Sequence, residues 1–178
     1  MNTKRYRIVN YMTVDEKIIQ YRPIGIIHTP FKEPKGTPIQ PQGAVGIKGQ
    51  IEIFDEFVEG LTDLKGFSHI ILLYHFHQCQ GFALKVKPWA ENVERGVFAT
   101  RAPKRPNPLG ISVVRLVSVS GRILEVEDVD ILDGTPLLDI KPYIPTVDCR
   151  QAERIGWVSG KTEKFSNVRA DNRFSNKS

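Results

Sequence analysis

The fold class follows from residues 111–131, which read ISVVRLVSVSGRILEVEDVDI. Two runs rich in valine and isoleucine, 111–120 and 122–131, flank Gly121 and predict two strands joined by a tight turn. Working outward from this pair, β-branched composition and period-two alternation predict further strands at 23–27, 46–54, 67–77, 96–100 and 135–140. The most apolar run, 67–77, is the predicted central strand.

Short strands separated by turn residues leave little room for the long crossovers that parallel sheets need. We therefore predict a mainly β fold, a single-sheet β-barrel with small helical additions at 55–64 and 148–158. No GxGxxG sequence follows a predicted strand, so a Rossmann nucleotide site has no support. We divide the chain into a polar lead-in (1–20), the barrel (21–147) and a basic, partly flexible extension (148–178).

The formal net charge of +5 is unevenly distributed along the chain. Residues 150–178 contain seven lysines and arginines against three acidic residues. Such a segment favours a polyanionic partner, with nucleic acid first, although it is also typical of a solvated tail that keeps a protein soluble. No apolar run is long enough to span a membrane, none resembles a secretory signal, and there are only two cysteines. We expect a cytoplasmic protein with no membrane partner.

A stiff, basic loop occupies residues 100–112, TRAPKRPNPLGIS. Its three prolines favour an extended, preorganised path, which reduces the entropy lost on binding. Arg101, Lys104 and Arg105 could meet a carboxylate or phosphate, and Asn107 could contact an amide or an adenine edge. The alternative is a rigid strand connection whose charges are solvated.

A second cluster of polar residues lies in residues 130–143, DILDGTPLLDIKPY, around the turn signal Asp133-Gly134. It contains Asp130, Asp139, Lys141 and Tyr143. Such side chains can act as acids or bases where burial shifts their pKa values. The alternative is a hairpin turn with surface charges.

Two other stretches allow more than one interpretation. In a strand, His69, His75, His77 and Cys79 would share one face, which suggests zinc, but the spacing fits no standard closed zinc site. Satisfied core or pocket histidines are the alternative, and we predict no metal. The segment 36–43, GTPIQPQG, is either a second stiff polar binding loop or an ordinary surface loop.

Five segments, in this order, resemble a single family: YRPIGIIHTPF, TPIQP, GFSHIILLYHFH, GVFATRAPKRPNPLGIS and DILDGTPLLDIKPYIP. It is the TsaA-like, or TrmO, family of S-adenosylmethionine (SAM)-dependent tRNA methyltransferases, and the resemblance covers residues 21–145. It implies a single-sheet β-barrel methyltransferase that binds SAM and forms a homodimer. The implied reaction is methylation of N6 of threonylcarbamoyladenosine, beside the anticodon of tRNA.

The resemblance also implies which residues bind SAM, namely Pro41, Gln42, Gly43, His77, Gln78, Arg101, Ile111, Leu132, Asp133, Gly134 and Thr135. Two differences from many bacterial relatives concern tRNA. Ile39 stands where those relatives have arginine, and a short basic tail stands where they have a distinct C-terminal domain.

The methyl acceptor, N6, is a weak nucleophile, so a base or an anion-stabilising group would help. As a hypothesis, Asp139, Lys141 and Tyr143 lie near the methyl group. Lys141 or Tyr143 would stabilise the substrate, and Asp139 would orient one of them or take the proton. Lys104, Arg105, Asn107 and the basic tail are the candidates for contacts to tRNA. The alternatives are methylation of another RNA base or a small molecule, and a SAM-sensing or metal-binding module without catalysis.

Overall fold

A computed structural model describes residues 18–89 and 91–174. Six strands close into a barrel in the order β1-β2-β7-β6-β3-β8, and every neighbouring pair is antiparallel. The barrel strands are β1 (Gly25–His28), β2 (Lys48–Ile53), β3 (His69–His75), β6 (Leu109–Ser120), β7 (Ile123–Glu127) and β8 (Thr135–Pro142). A small sheet outside the barrel pairs β4 (Lys85–Val86) with β5 (Arg95–Gly96). The mainly β barrel fold is confirmed.

The core fills the inside of the barrel because alternate residues of each strand point inward. In β3 the buried residues are Ile70, Leu72 and Tyr74, while the residues between them are partly exposed. The fully buried side chains are almost all isoleucine, leucine and valine. A second, smaller core under β4 and β5 contains Val86, Val97, Ala102 and Phe174.

Most predicted strands are present, with ends that shift by no more than four residues. The predicted hairpin is β6–β7, and Gly121 sits in its turn with φ +57. β7 ends before its predicted limit because Asp128 takes a left-handed conformation, φ +68, and accepts a hydrogen bond from the Gly46 amide at 2.8 Å. β3, the predicted central strand, pairs with β6 and β8, but a closed barrel has no central strand because each of its strands has two neighbours.

The strand predicted at 96–100 is wrong beyond Gly96. Residues Val97–Ala99 form a 3-10 turn instead. The Arg105 guanidinium explains this difference, since its Nη1 donates to the carbonyls of Val97 and Thr100 at 3.1 and 2.9 Å. One side chain therefore gathers carbonyl groups that a strand would present to a neighbour.

The helical additions are short. The predicted helix at 55–64 is a 3-10 helix, Asp55–Leu61, and the one at 148–158 is replaced by α1 (Pro145–Asp148) and a 3-10 turn, Gly156–Val158. The other 3-10 turns are Pro41–Gly43, Leu64–Gly66, Thr162–Lys164 and Asn172–Phe174. Within the described residues, no helix has the length and apolar character needed to cross a membrane. All but three residues of the predicted lead-in lie outside the described ranges.

Candidate functional site

A cavity of about 450 Å³ opens at one end of the barrel. The end of β3, the start of β6 and the connection that precedes β8 meet there, because antiparallel neighbours bring opposite strand ends together. Loops 34–40 and 100–105 complete its walls, together with Ala170 and Phe174 from the C-terminal segment.

A buried polar network forms the inner end of this cavity. The Ser112 hydroxyl donates to Asp130 Oδ1 at 2.7 Å, so its oxygen accepts from the Tyr74 hydroxyl at 3.0 Å. Ser112 and Tyr74 are only 3% and 5% exposed. The Tyr74 ring lies against the backbone of Gly110, where a Cβ atom would stand 2.2 Å from Tyr74 Cε2. Glycine at 110 therefore allows the ring to reach Ser112.

Burial raises the pKa values of two groups in this network. Desolvation raises the pKa of Asp130 to about 6, although the Ser112 hydrogen bond and the Arg101 charge act in the opposite direction. Desolvation also raises the pKa of the Tyr74 hydroxyl well above its ordinary value. Asp130 and Arg101 both line the cavity, so it presents charges of both signs.

A second hydrogen-bonded chain fixes His77 at the cavity wall. The Thr135 hydroxyl donates to the Leu132 carbonyl at 2.7 Å and lies 3.2 Å from His77 Nδ1. Because that hydroxyl has one proton, His77 Nδ1 is the donor between the two, which leaves Nε2 of the neutral ring as an acceptor. Burial, followed by the His75 charge, lowers the pKa of His77.

Six of the residues predicted to bind SAM line the cavity: His77, Gln78, Arg101, Ile111, Leu132 and Thr135. The loop at residues 36–43, here called the proline–glutamine loop, reaches the cavity three residues earlier than predicted, through Pro38, Ile39 and Gln40. The predicted residues Pro41, Gln42 and Gly43 form the adjacent 3-10 turn.

Asp133 and Gly134 do not line the cavity. Asp133 accepts the Thr29 amide at 3.0 Å and pairs with Lys32 at 2.7 Å, so its carboxylate supports the connection after β1. The Lys32 hydrogen bond lowers the pKa of Asp133.

The predicted tRNA contacts are not equivalent in the structure. Arg105 lines the cavity, but its Nη1 is committed to backbone carbonyls, and its guanidinium stands 5.8 Å from the Phe98 ring centroid. Lys104 and Asn107 lie outside the lining.

The predicted catalytic residues Asp139, Lys141 and Tyr143 do not line the cavity. Lys141 Nζ pairs with Asp139 Oδ2 at 2.8 Å, and this ion pair raises the pKa of Lys141. Asp139 faces Leu73, which in turn faces Ile111, so the three share the outer surface of the sheet. Two strand spacings, roughly 10 Å, therefore separate Asp139 from the cavity residue Ile111. The Tyr143 ring packs edge-on against the His69 ring, with their centroids 6.3 Å apart.

The C-terminal segment contributes residues that sequence reasoning did not identify. Ala170 exchanges hydrogen bonds with the proline–glutamine loop, through its amide to the Thr37 carbonyl (2.8 Å) and its carbonyl to the Gly36 amide (2.9 Å). The Phe174 ring stacks edge-on against Trp89 with centroids 4.8 Å apart, and both rings line the cavity.

Further contacts hold this segment against the barrel. Trp157 donates to the Ala99 carbonyl at 2.8 Å, and Lys161 pairs with Glu91. The Lys161 hydrogen bond, followed by that of Arg95, lowers the pKa of Glu91 to about 2. No sequence pattern marked these contacts, because they join residues far apart in the chain.

The inward polar residues were also missed, although a signal was available. Tyr74 and Ser112 occupy core-facing positions in strands whose other inward residues are apolar. Polar residues at such positions indicate a buried network. Among the described residues, no group of three or more His, Cys, Asp or Glu side chains could hold a metal ion.

Comparison with known proteins identifies the family to which this barrel belongs. Residues 26–149 match the model of the tRNA-methyltransferase O N-terminal domain. The chain belongs to that family. The matched residues contain the barrel strands from Ile26 onward and most of the cavity, but not Ala170 or Phe174.

Named relatives and solved structures agree with this membership. A probable S-adenosyl-L-methionine-binding protein of Pyrococcus abyssi is 59% identical over 88% of this chain and 85% of its own length. The tRNA (adenine(37)-N6)-methyltransferase of Escherichia coli is 38% identical over 71% of this chain. The crystal structure of TrmO from Pseudomonas aeruginosa superposes with a TM-score of 0.66 and 40% identity, covering 79% of this chain.

The chain spans only part of several family members. The matched regions cover 58% of the Escherichia coli enzyme, 62% of the Pseudomonas aeruginosa structure and 38% of a probable S-adenosyl-L-methionine-binding protein from Archaeoglobus fulgidus. Residues 150–174 lie beyond the family match, yet they contact the cavity.

The cavity fits SAM on two observations. Its volume lies within the range of about 300–1,000 Å³ that is usual for small-molecule sites. Its walls combine the Trp89 and Phe174 rings with charged groups of both signs, and SAM joins an adenosine to a charged amino-acid end. When bound, SAM supplies an electrophilic methyl group on a sulfonium sulfur.

Proposed function

We propose that this protein is a SAM-dependent methyltransferase that methylates tRNA at N6 of the adenosine beside the anticodon, on a threonylcarbamoyladenosine acceptor. The observation that carries the proposal is that residues from the segments that define the family also line the cavity. The residues that define the family resemblance include His77, Arg101, Leu132 and Thr135, and these line a cavity of the right size. The Escherichia coli and mouse relatives are both named as methyltransferases of tRNA adenine 37.

The cofactor would bind between the loops at the barrel end. We propose Pro38, Ile39 and Gln40 as its contacts from the proline–glutamine loop, in addition to the six predicted residues that line the cavity. The backbone hydrogen bonds between Ala170 and loop 36–37 hold this wall in place. A preassembled wall reduces the entropy lost on binding and fixes the orientation of the reacting groups.

Methylation replaces the N6 hydrogen, so a group of the protein must take that proton or stabilise the developing negative charge. Asp139, Lys141 and Tyr143 remain our proposal for this role. The ion pair between Asp139 and Lys141 supports it, because the carboxylate orients the ammonium group. The outer face that carries both residues continues from the cavity edge at Ile111.

The decisive experiment measures methyl transfer from SAM to two tRNA preparations, with and without the threonylcarbamoyl group, by nucleoside mass spectrometry. We expect a mass gain of one methyl group on threonylcarbamoyladenosine only. Transfer to a different nucleoside would favour another RNA target. No transfer to either tRNA, with SAM binding retained, would favour a small-molecule acceptor or a binding module.

A variant pair tests the proposed catalytic residues. Lys141→Ala and Tyr143→Phe should each reduce kcat, whereas Lys48→Ala, an exposed lysine on β2, should not. Full activity in both Lys141→Ala and Tyr143→Phe would contradict the assignment. We also propose a homodimer, on the strength of the family resemblance, and light scattering of the purified protein measures the mass of the assembly directly. A cytoplasmic location is proposed on the low number of cysteines.

A further inference from the structure

Two opposite charges face the cavity without neutralising each other. Arg101 and Asp130 both line it, yet no ion pair within 4.0 Å involves either side chain among the described residues. Arg101 is nevertheless close enough for its charge to lower the pKa of Asp130 and of Tyr74. The two charged groups therefore border the same cavity while each remains free of an ion-pair partner among the described residues.

Asp130 is a partly buried residue whose carboxylate is unfavourable for the fold in its present surroundings. It lies between Val129 and Ile131, both buried core residues, and it accepts one side-chain hydrogen bond, from Ser112. Burying a carboxylate without a paired cation is unfavourable. Three residues are arranged to keep it there, because Gly110 admits the Tyr74 ring and Tyr74 in turn donates to Ser112. A network built around an unpaired carboxylate indicates that its cation comes from a ligand.

We propose that Arg101 and Asp130 together bind the amino-acid end of SAM. The Arg101 guanidinium pairs with the α-carboxylate, and the Asp130 carboxylate accepts hydrogen bonds from the α-ammonium group. Charge-assisted hydrogen bonds of this kind are stronger than neutral ones, and a guanidinium matches a carboxylate in geometry. The inference rests on the proposed use of SAM and adds Asp130 as a cofactor-binding residue, with Ser112 and Tyr74 as its positioning residues.

The position of Asp130 favours the cofactor over the methyl acceptor as its partner. Its hydrogen-bond partner Ser112 is buried inside the barrel end, whereas Arg101 is exposed. A base attached to tRNA enters only from the open side of the cavity. The inner carboxylate is then covered by the smaller molecule, which binds beneath the acceptor.

Calorimetric titration with three ligands tests this assignment. SAM and S-adenosylhomocysteine both carry the amino-acid end, and 5′-methylthioadenosine lacks it. Asp130→Asn is isosteric and keeps an acceptor for Ser112, and its melting temperature verifies that the protein folds. Asp128→Asn is the matched control, since Asp128 lies two residues earlier and accepts the Gly46 amide instead. Arg101→Gln tests the other half of the site.

We expect Asp130→Asn to lower the affinity for SAM and S-adenosylhomocysteine by about 10- to 100-fold, as the loss of a charge-assisted hydrogen bond requires. The affinity for 5′-methylthioadenosine should stay within about twofold, and Asp128→Asn should change none of the three affinities. Arg101→Gln should show the same selectivity as Asp130→Asn.

Three results would overturn the assignment in different ways. An equal loss of affinity for all three ligands in Asp130→Asn would show that Asp130 determines only the shape of the cavity. Unchanged SAM affinity with lost methyl transfer would assign Asp130 to the methyl acceptor. Wild-type protein that binds none of the ligands would reject the proposed cofactor itself, and the amino-acid receptor with it.

Discussion

Removal of the Phe174 ring tests whether the C-terminal segment is a functional wall of the cavity. Phe174 is 8% exposed and packs edge-on against Trp89, with Val86, Val97 and Ala102 in the same cluster. A core Phe→Ala substitution costs about 3–5 kcal/mol. Because Phe174 belongs to the segment and not to a barrel strand, we expect this loss to weaken docking of the segment more than folding of the barrel. A loss of about 3 kcal/mol lowers the docking equilibrium constant by roughly 150-fold.

Two measurements on Phe174→Ala follow from this estimate. Hydrogen exchange at the Ala170 amide, which bonds to the Thr37 carbonyl, should become faster, because that bond depends on docking. The affinity for SAM should fall in proportion to the docked fraction, by about tenfold where the segment is mostly undocked. Phe82→Ala is the control, since that side chain is 62% exposed. Unchanged Ala170 protection would refute the packing argument, and faster exchange with unchanged SAM affinity would refute the segment's part in the site.

Three further predictions concern the network and the charges. Gly110→Ala should destabilise the protein by about 1–3 kcal/mol in urea unfolding and weaken SAM binding, because its Cβ would displace the Tyr74 ring, whereas Gly60→Ala meets open space and should be nearly neutral. The folded-state pKa of Asp130 is raised from 3.8 to about 6, so its contribution to stability is complete below pH 4 and is lost as the pH rises through 6. Asp130→Asn should therefore be more stable than wild type at pH 7, by about 3 kcal/mol at most, and a stability difference that does not change between pH 4 and 7 would contradict the assigned titration. Binding of tRNA should weaken steeply with added salt if residues 150–174 contact phosphates, and salt-independent binding would exclude those contacts.

The barrel could be predicted because local patterns determine it. Alternation in β2 and the apolar run of β3 specify strands whatever their neighbours are, and Gly121 marks the hairpin turn. The strand predicted at 96–100 failed for a non-local reason. Its residues have strand composition, but the Arg105 side chain competes for their carbonyls and closes them into a turn. The composition of residues 96–100 does not reveal that a side chain from a later loop donates hydrogen bonds to their carbonyl groups.

Only some of the residues predicted to bind SAM line the cavity, and the difference lies in the direction of the side chains and not in the location of the loops. Residues 132–135 lie at the cavity, but they form a turn, with Gly134 at φ +73, in which successive side chains point in different directions. Leu132 and Thr135 therefore line the cavity, while Asp133 turns toward Thr29 and Lys32. The proline–glutamine loop likewise meets the cavity through Pro38, Ile39 and Gln40, three residues before the predicted contacts, which form a 3-10 turn. A motif locates a loop, whereas the loop's hydrogen bonds decide which of its side chains face the ligand.

The residues of the buried network share one property, which is that each is unfavourable or unremarkable when considered alone. The sequence marked Asp130 as a possible acid or base, but it gave no sign of the network around that carboxylate. Asp130 beside Val129 and Ile131 is a destabilising choice unless a cation reaches it, and Ser112 is a polar residue in an apolar strand face. A closed barrel can carry this cost, because its remaining inward residues form a continuous apolar core. The same closure holds Tyr74 and Ser112 on neighbouring strands, so the carboxylate keeps its orientation whether or not a ligand is bound. The barrel thus supplies both the stability that offsets the partly buried charge and the rigidity that makes the charge useful for recognition.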